Sequence, residues 1–340
     1  MPHAIRVHAC GGPEVLKWEE IEVGAPGPGQ AKVKQFAAGV NFIDVYHRTG
    51  LYPQPSMPFT PGSEGAGEVI AIGDGVTDVA VGDRVAYAGA IGGYAEERLI
   101  PADRLIKIPQ DISYETAAAM MLKGMTVRYL LKNTYNLTKD STVLWHAAAG
   151  GVGLIASQWA SHIGATMIGT VGSDEKATLA KANGCAHTIN YRTEDFVART
   201  KEFTDGKGVD VVFDSIGKDT FPKSLDCLKP RGLWVTFGNA SGNVPPFEVG
   251  ILAAKGSLYV TRPTLNTHIA TREMLVETAN DLIDMVRLNR IRILVSKTYP
   301  MSEAAQAHSD LESRGTTGSI VLLADYADKR IPAAHGGGED

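Results

Sequence analysis

The sequence predicts an α/β protein of two domains, one a strongly curved β-rich body and the other an open, doubly wound parallel sheet. Three observations lead there. Residues 4–9, 15–23 and 31–38 are short alternating apolar runs, and glycine then recurs at Gly62, Gly65, Gly67, Gly73, Gly75 and Gly82 between further strand-like runs. Residues 142–147 make a short apolar run that passes through a small-residue turn into helical spacing over 154–163. Strand and helix patterns then alternate to about residue 261, which is the rhythm of a parallel sheet. A chain of 340 residues also exceeds what one hydrophobic core comfortably holds.

Composition excludes several classes of function. The formal net charge of −5 provides no basic stripe and weighs against a nucleic-acid binder. No apolar run reaches the length of a membrane span, and the first residues lack a basic-then-apolar leader, so a cytoplasmic enzyme is expected. Cys10, Cys185 and Cys227 are odd in number and far apart, which suggests buried thiols rather than a disulfide framework.

In chain order, the turn clusters at 11–13 and 25–29 separate the first strands, and 68–72 and 84–87 continue the β rhythm. After Pro109 the pattern becomes helical, with Ser113 placed as N-cap and the helix expected through Leu131. Lys123 and Thr126 lie on neighbouring turns of that helix and are expected to face a cleft between the domains. Strands are expected at 166–171, 209–213, 233–237 and 256–261. A helix over 271–288, strands at 291–299 and 320–323 and a helix over 302–312 return the chain to the β-rich domain.

The chemistry concentrates in the stretch Trp145-His146-Ala147-Ala148-Ala149-Gly150-Gly151-Val152-Gly153. Counted back from Gly153, Ala148, Gly150 and Gly153 occupy the three small-residue positions of a dinucleotide fingerprint. A small first residue permits the tight turn, a bare second one lets backbone approach a pyrophosphate, and a bare third one lets helix pack on strand. Free amides of Gly151 and Val152 at the helix start then meet the phosphates.

That turn, together with Gly39-Val40-Asn41-Phe42-Ile43-Asp44-Val45-Tyr46 and Pro61-Gly62-Ser63-Glu64-Gly65, resembles the medium-chain dehydrogenase/reductase superfamily. Within it the chain resembles the zeta-crystallin-like quinone oxidoreductases over nearly its whole length. The resemblance implies a GroES-like catalytic domain at 1–125 and 262–326 and a Rossmann NADPH-binding domain at 126–261, while the glycine-rich end at 327–340 is expected to be a flexible tail. The zinc-dependent branch places a ligand cysteine where Asn41 stands and a ligand histidine where Ser63 stands. With neither present, and no cysteine between Cys10 and Cys185, a metal-free site is expected. Without a Lewis acid the substrate must itself be electrophilic, as quinones and other conjugated carbonyls are.

The second expected strand ends in Gly172 and Ser173, with no acid to hold ribose hydroxyls. Lys176, one turn on, and Tyr191, after the third strand, are placed for a 2′-phosphate, and the resemblance implies the same roles. NADPH is therefore expected over NADH. Ser215, Phe237, Asn239 and Ser241 follow later strand ends, where an open parallel sheet gathers its ligand. Asn41 and Arg314 are added to the cofactor contacts by resemblance. Asn41, Tyr46 and Tyr52 are expected to wall the substrate, the hydroxyls facing the oxygen that gains charge. The resemblance also implies a homodimer through the edge strand near Gly256 to Thr261. The activity expected is quinone reduction by hydride or electrons from NADPH. An enal or enone reductase is the nearest other reading, and a crystallin-like or RNA-binding protein the reading from another class.

Overall fold

The longest strand of the β-rich part, β3 (Gln30–Val40), shows how that part closes. Its register against β4 (Glu64–Ile72) shifts twice, between Lys32 and Val33 and between Gln35 and Ala37, and such bulges bend a strand and increase its twist. Gly67 permits the crossing, because a Cβ there would lie 2.1 Å from the Lys34 carbonyl oxygen. The structure is a computed structural model that describes residues 1–313 and 315–326; Arg314 and the tail expected at 327–340 lie outside the described residues.

The chain divides into two units, Met1–Met121 with Lys297–Gly315 and the residues from Ile320 on, and Leu122–Ser296 with Thr316–Ser319. In the first unit β1 (His3–Arg6) pairs with β2 (Lys17–Glu20), and α1 (Phe42–Thr49) follows β3. After β4 come β5 (Arg84–Ala88), β6 (Glu97–Pro101) and β7 (Ile106–Lys107). The division falls inside α2 (Tyr114–Tyr129), whose start is capped as expected by Ser113, its Oγ accepting from the Thr116 amide at 3.0 Å.

The second unit alternates strand and helix: β8 (Thr142–Trp145), α3 (Gly151–Ile163), β9 (Thr166–Val171), α4 (Asp174–Ala182), β10 (His187–Asn190), α5 (Phe196–Phe203) and β11 (Val209–Asp214). It continues with α6 (Lys223–Asp226), β12 (Leu228–Thr236), α7 (Gly250–Ala254), β13 (Tyr259–Thr261), α8 (Leu265–His268) and α9 (Arg272–Arg287). The chain then runs through β14 (Val295–Pro300), α10 (Ala304–Glu312) and β15 (Ser319–Leu323). In the first unit the sheet order is β14-β15-β3-β4-β5-β7, with β6 also on β3. Among its described residues, apolar clusters gather around Val33, Val69, Tyr87 and Leu105 and around Ile5, Val40, Tyr94 and Leu322.

The second unit's sheet is parallel throughout, in the order β10-β9-β8-β11-β12-β13. The order reverses between β8 and β11, so the carboxyl ends of those two strands flank the crevice where such sheets bind ligands. Trp145, Phe213 and Trp234 are buried beneath them.

Several expectations change. Helix α1 and strand β6 were not legible as such, and the strand expected at 15–23 is reduced to β2 after a 3₁₀ turn at Pro13–Val15. The segment 262–296, expected with the β-rich domain, groups with the parallel-sheet unit, and the first boundary falls at 121/122 rather than 125/126. The reason is side-chain packing within that unit. Leu282 of α9 closes on Gly124, where a Cβ would lie 2.4 Å from Leu282 Cδ1. Arg128 binds Glu277 and Asp281, and Tyr129 stacks on His268 with centroids 4.4 Å apart. Among the described residues no helix is long and apolar enough to cross a membrane.

Leu282 is fully buried at this contact. Leu282→Ala is expected to destabilise the protein by about 2–4 kcal/mol, as leucine truncation in a packed core does. Urea unfolding followed by tryptophan fluorescence measures it, and a loss under about 1 kcal/mol would show that α9 is not held by this packing.

Candidate functional site

The parallel-sheet unit carries a cradle of backbone at the start of α3. Gly150 is the N-cap of α3 in an extended conformation, so the first-turn amides that follow it have no intrahelical acceptor. The helix can sit this close to β8 because Gly153 has no side chain: a Cβ would lie 2.5 Å from the Ala147 carbonyl oxygen. At Gly151 a Cβ would come within 2.9 Å of both the Gly318 carbonyl oxygen and Lys123 Cδ. The stem of Lys123 thus borders the turn beside Gly151, and Val152 continues its rim. Thr126 is half-buried one helical turn from Lys123.

At the end of β9, Ser173 caps α4 by accepting from the Lys176 amide at 3.3 Å. Burial, then the nearby Arg192 guanidinium, lowers the ammonium pKa of Lys176 below its usual value. Two cations therefore share this strand end. Tyr191 stands beside it, its hydroxyl lying 2.8 Å from where a Gly172 Cβ would be. Arg192 was missed in the sequence reading, although its position directly after Tyr191 was the available signal.

The loops after β11 and β12 are knitted together. Ala240 donates its amide to the Ser215 carbonyl at 3.1 Å, and Phe237 to the Asp214 carbonyl at 2.8 Å. The Ser241 hydroxyl donates to the Ile216 carbonyl and accepts from the Asp219 amide, both at 2.9 Å. It acts as a strut between the loops, which leaves one lone pair for any further contact. Asn239 is buried in the same group, and Phe237 packs against Trp145. Arg314 lies outside the described residues.

In the β-rich unit Asn41 and Asp44 cap α1 reciprocally, the Asn41 amide donating to Asp44 Oδ2 at 3.0 Å. Asn41 Nδ2 donates to Glu64 Oε1 at 2.8 Å. Ser63 Oγ donates to Asp44 Oδ1 at 2.6 Å and the Tyr94 hydroxyl to Asp44 Oδ2 at 3.0 Å. Tyr94 also meets His308 Nε2 at 3.1 Å, while His308 Nδ1 lies 3.2 Å from Arg48 Nη1. Arg48, fully buried, forks onto both oxygens of Glu312 at 2.8 and 2.9 Å.

Donor logic orients this network. Arg48 has only donors, so His308 Nδ1 accepts and Nε2 carries the proton, which goes to the Tyr94 oxygen while Tyr94 donates to Asp44. Burial pushes Asp44 up to about 6 against its hydrogen bonds, and pushes the Tyr94 phenol well above its usual value. Burial and then the Arg48 charge push His308 down to about 3. Tyr46 packs edge-on to Tyr52 with centroids 5.2 Å apart, and the Tyr52 amide donates to the Tyr46 carbonyl at 3.0 Å. Tyr46 is buried and Tyr52 half-buried, so the pair forms one small aromatic wall.

Zinc does not fit this arrangement. At the two positions compared with zinc ligands, the Asn41 amide and Ser63 hydroxyl are committed to Glu64 and Asp44, and neither is an anionic or imidazole donor. Among the described residues no three His, Cys, Asp or Glu side chains group to hold a metal.

Two family models match: an alcohol dehydrogenase GroES-like domain over residues 27–110 and a zinc-binding dehydrogenase over residues 151–283. The chain is 51% identical over 324 residues to a quinone oxidoreductase of Pseudomonas aeruginosa, covering 95% of this chain and 100% of that one. It is 48% identical to a 2-haloacrylate reductase of a Burkholderia species, covering 95% and 99%. The crystal structure of Escherichia coli quinone oxidoreductase complexed with NADPH superposes with a TM-score of 0.93 at 50% identity, covering 94% of this chain and 99% of that one. A GroES-like domain joined to a dinucleotide-binding parallel sheet defines a medium-chain dehydrogenase/reductase. Within that superfamily the chain belongs to the zinc-free quinone oxidoreductases.

The buried network makes a prediction about pH. The unfolded chain binds a proton on His308 near pH 6.5 but the fold resists it down to about 3. This residue's contribution is complete above pH 6.5 and is lost as pH falls through that window, at roughly 1 kcal/mol per unit. Asp44, raised to about 6, acts with the opposite sign between about 6 and 4, where the fold binds the extra proton. His308→Gln keeps a donor and an acceptor and is expected to flatten the acid limb of stability against pH; equal slopes in urea unfolding of variant and parent would contradict this.

Proposed function

We propose that this chain reduces quinones with NADPH. Two features support the reading together: a dinucleotide turn whose neighbouring strand end carries Lys176 and Arg192 in place of an acid, and likeness to quinone oxidoreductases along the whole chain. When bound, NADPH supplies the hydride or electrons that the quinone takes up. The amides of Gly151 and Val152, opening at Gly150, would take the pyrophosphate, with Lys123 and Thr126 alongside. Ser173, Lys176, Tyr191 and Arg192 would surround the 2′-phosphate next to Gly172. Ser215, Phe237, Asn239 and Ser241 would shape the loop wall against the rest of the nucleotide, and Arg314 would add a cation.

Asn41, Tyr46 and Tyr52 are proposed to hold the quinone, with Asn41 also near the nicotinamide. The network behind Asn41 keeps it from turning, since its amide groups are bound to Asp44 and Glu64. Asn41 then shapes the quinone's surroundings rather than donating to it, the Tyr46 and Tyr52 hydroxyls are proposed to face the oxygen that gains charge, and a reduced quinone oxygen takes its proton from water. Homodimerisation through β13 is part of the proposal: Tyr259 is 60% and Val260 41% exposed on this sheet edge, which pairing with a second copy would cover. A cytoplasmic location is proposed as well: the three thiols are free, Cys185 and Cys227 buried as expected and Cys10 exposed instead, which fits a reducing compartment.

The reading is tested by anaerobic NADPH oxidation by chelator-treated protein with an ortho-quinone, a para-quinone and an enal in parallel, repeated with NADH. Turnover on a quinone, unchanged by chelation, is expected. Turnover on the enal alone would move the assignment to alkene reduction, the direction to which the likeness to 2-haloacrylate reductase points. Lys176→Ala is expected to weaken NADPH about 10- to 100-fold, the value of one charge-assisted bond, with NADH nearly unchanged. Equal loss of both would overturn the 2′-phosphate assignment. Val260→Lys is expected to convert dimer to monomer in light scattering, and an unaltered mass would remove β13 from the interface.

A further inference from the structure

A second buried polar chain lies beneath the dinucleotide turn and has no part in the roles above. Asp214, at the end of β11, is fully buried and gathers donors on both oxygens. Oδ1 accepts from the Ile216 and Gly217 amides at 2.9 and 3.1 Å. Oδ2 accepts from Thr220 Oγ1 at 2.7 Å, Ser224 Oγ at 3.1 Å and Trp234 Nε1 at 3.2 Å. Ser224 Oγ also lies 3.0 Å from His146 Nε2, and His146 Nδ1 lies 3.0 Å from Thr170 Oγ1.

The directions follow from the carboxylate. Ser224 spends its proton on Asp214, so it accepts from His146 Nε2–H, which leaves Nδ1 to accept from the Thr170 hydroxyl. His146 is buried, and burial lowers its pKa below the usual imidazole value against the pull of the Asp214 charge. Thr170 Oγ1 is also approached by the Ala147 amide at 3.4 Å, and the Thr170 carbonyl accepts from the Ala148 amide at 3.0 Å. The ends of β8, β9 and β11 are thereby tied to one imidazole.

Ala147, next to that imidazole, has φ +58°, a left-handed conformation that a residue with a Cβ disfavours. Its carbonyl accepts from the Gly150 amide at 3.0 Å and is the atom against which Gly153 packs. The cradle therefore depends on a backbone angle that alanine does not choose by itself.

We infer that His146 is a positioning residue for the cofactor: bridged to the Ala147 backbone through Thr170 and anchored through Ser224 to Asp214, it holds Ala147 left-handed and so sets the pyrophosphate turn. The inference rests on the reading that this turn binds the NADPH pyrophosphate. It predicts an effect blind to the 2′-phosphate, because NADPH and NADH share the pyrophosphate.

Isothermal titration of NADPH and of NADH into the full-length protein tests it, with kcat and KM measured alongside. His146→Leu is expected to weaken both nucleotides by a similar factor, roughly tenfold, the scale of one left-handed alanine. KM for the nucleotide should rise while kcat stays within about twofold. Thr170→Val, which removes the hydroxyl bridge but leaves the ring in place, should give a smaller loss in the same sense, and it carries the test if His146→Leu does not fold. In either background Ala147→Gly should restore affinity to within about threefold, since glycine takes this angle without strain. Unchanged affinity in the first variants, or a loss that Ala147→Gly does not relieve, would overturn the inference. Parent protein that binds neither nucleotide would instead overturn the reading on which it rests.

Discussion

The nucleotide-binding unit depends on one close approach, that of the first turn of α3 to the end of β8. Gly153 lies against the Ala147 and Ala148 carbonyls with no room for a methyl group. If that contact opened, the helix would lift from the sheet, and its first-turn amides would no longer lie beside Gly150 and Lys123. The left-handed backbone at Ala147 and the hydrogen-bonded ring of His146 are arranged around this one steric requirement. Gly318, whose carbonyl faces Gly151 and whose amide binds the Ala149 carbonyl at 3.2 Å, closes the turn from a segment far along the chain.

The β-rich unit solves a related problem with charge instead of close packing. Helix α1 leaves β3 abruptly at Asn41, and the residues that fix its direction are buried and polar. A buried carboxylate such as Asp44 is costly unless it is surrounded by donors, and here Asn41, Ser63 and Tyr94 surround it. Arg48 extends the same network to His308 and Glu312, so α10 is joined to α1 by ionic and imidazole contacts. Such networks demand full satisfaction of every partner, which makes them good at specifying one arrangement of side chains.

The same network explains how a fold shared with metal-dependent dehydrogenases is stable with an amide and a hydroxyl at the two compared positions. Asn41 and Ser63 are short, neutral side chains whose polar atoms are used internally. Neither offers a metal the anionic or imidazole donor it needs, which agrees with the zinc-free family to which the chain belongs.

Much of this was readable from local pattern. The alternation of β runs, the small-residue spacing from Ala148 to Gly153, the Ser113 cap and the missing acid after Val171 are properties of neighbouring residues. Patterns acting over a few positions were enough to place the turn, Lys176 on α4 and the two-part fold. The Asn41-x-x-Asp44 spacing was also visible, but its meaning needed the structure, because the other groups that make Asp44 tolerable are Ser63, just before β4, and Tyr94, in the loop before β6. Arg192 needed only adjacency to Tyr191. The ties of Arg48 to Glu312, of His146 to Ser224 and of Gly124 to Leu282 span 264, 78 and 158 positions (312 − 48, 224 − 146, 282 − 124). The sequence by itself determined the two-part fold, most strands of the parallel sheet and the small-residue turn that opens α3, since those follow from short-range sterics and periodic burial. Only the tertiary structure decided that α9 belongs with the nucleotide-binding unit and which buried polar groups satisfy one another, because a hydrogen bond or packed methyl depends on distance in space and leaves no periodic trace along the chain.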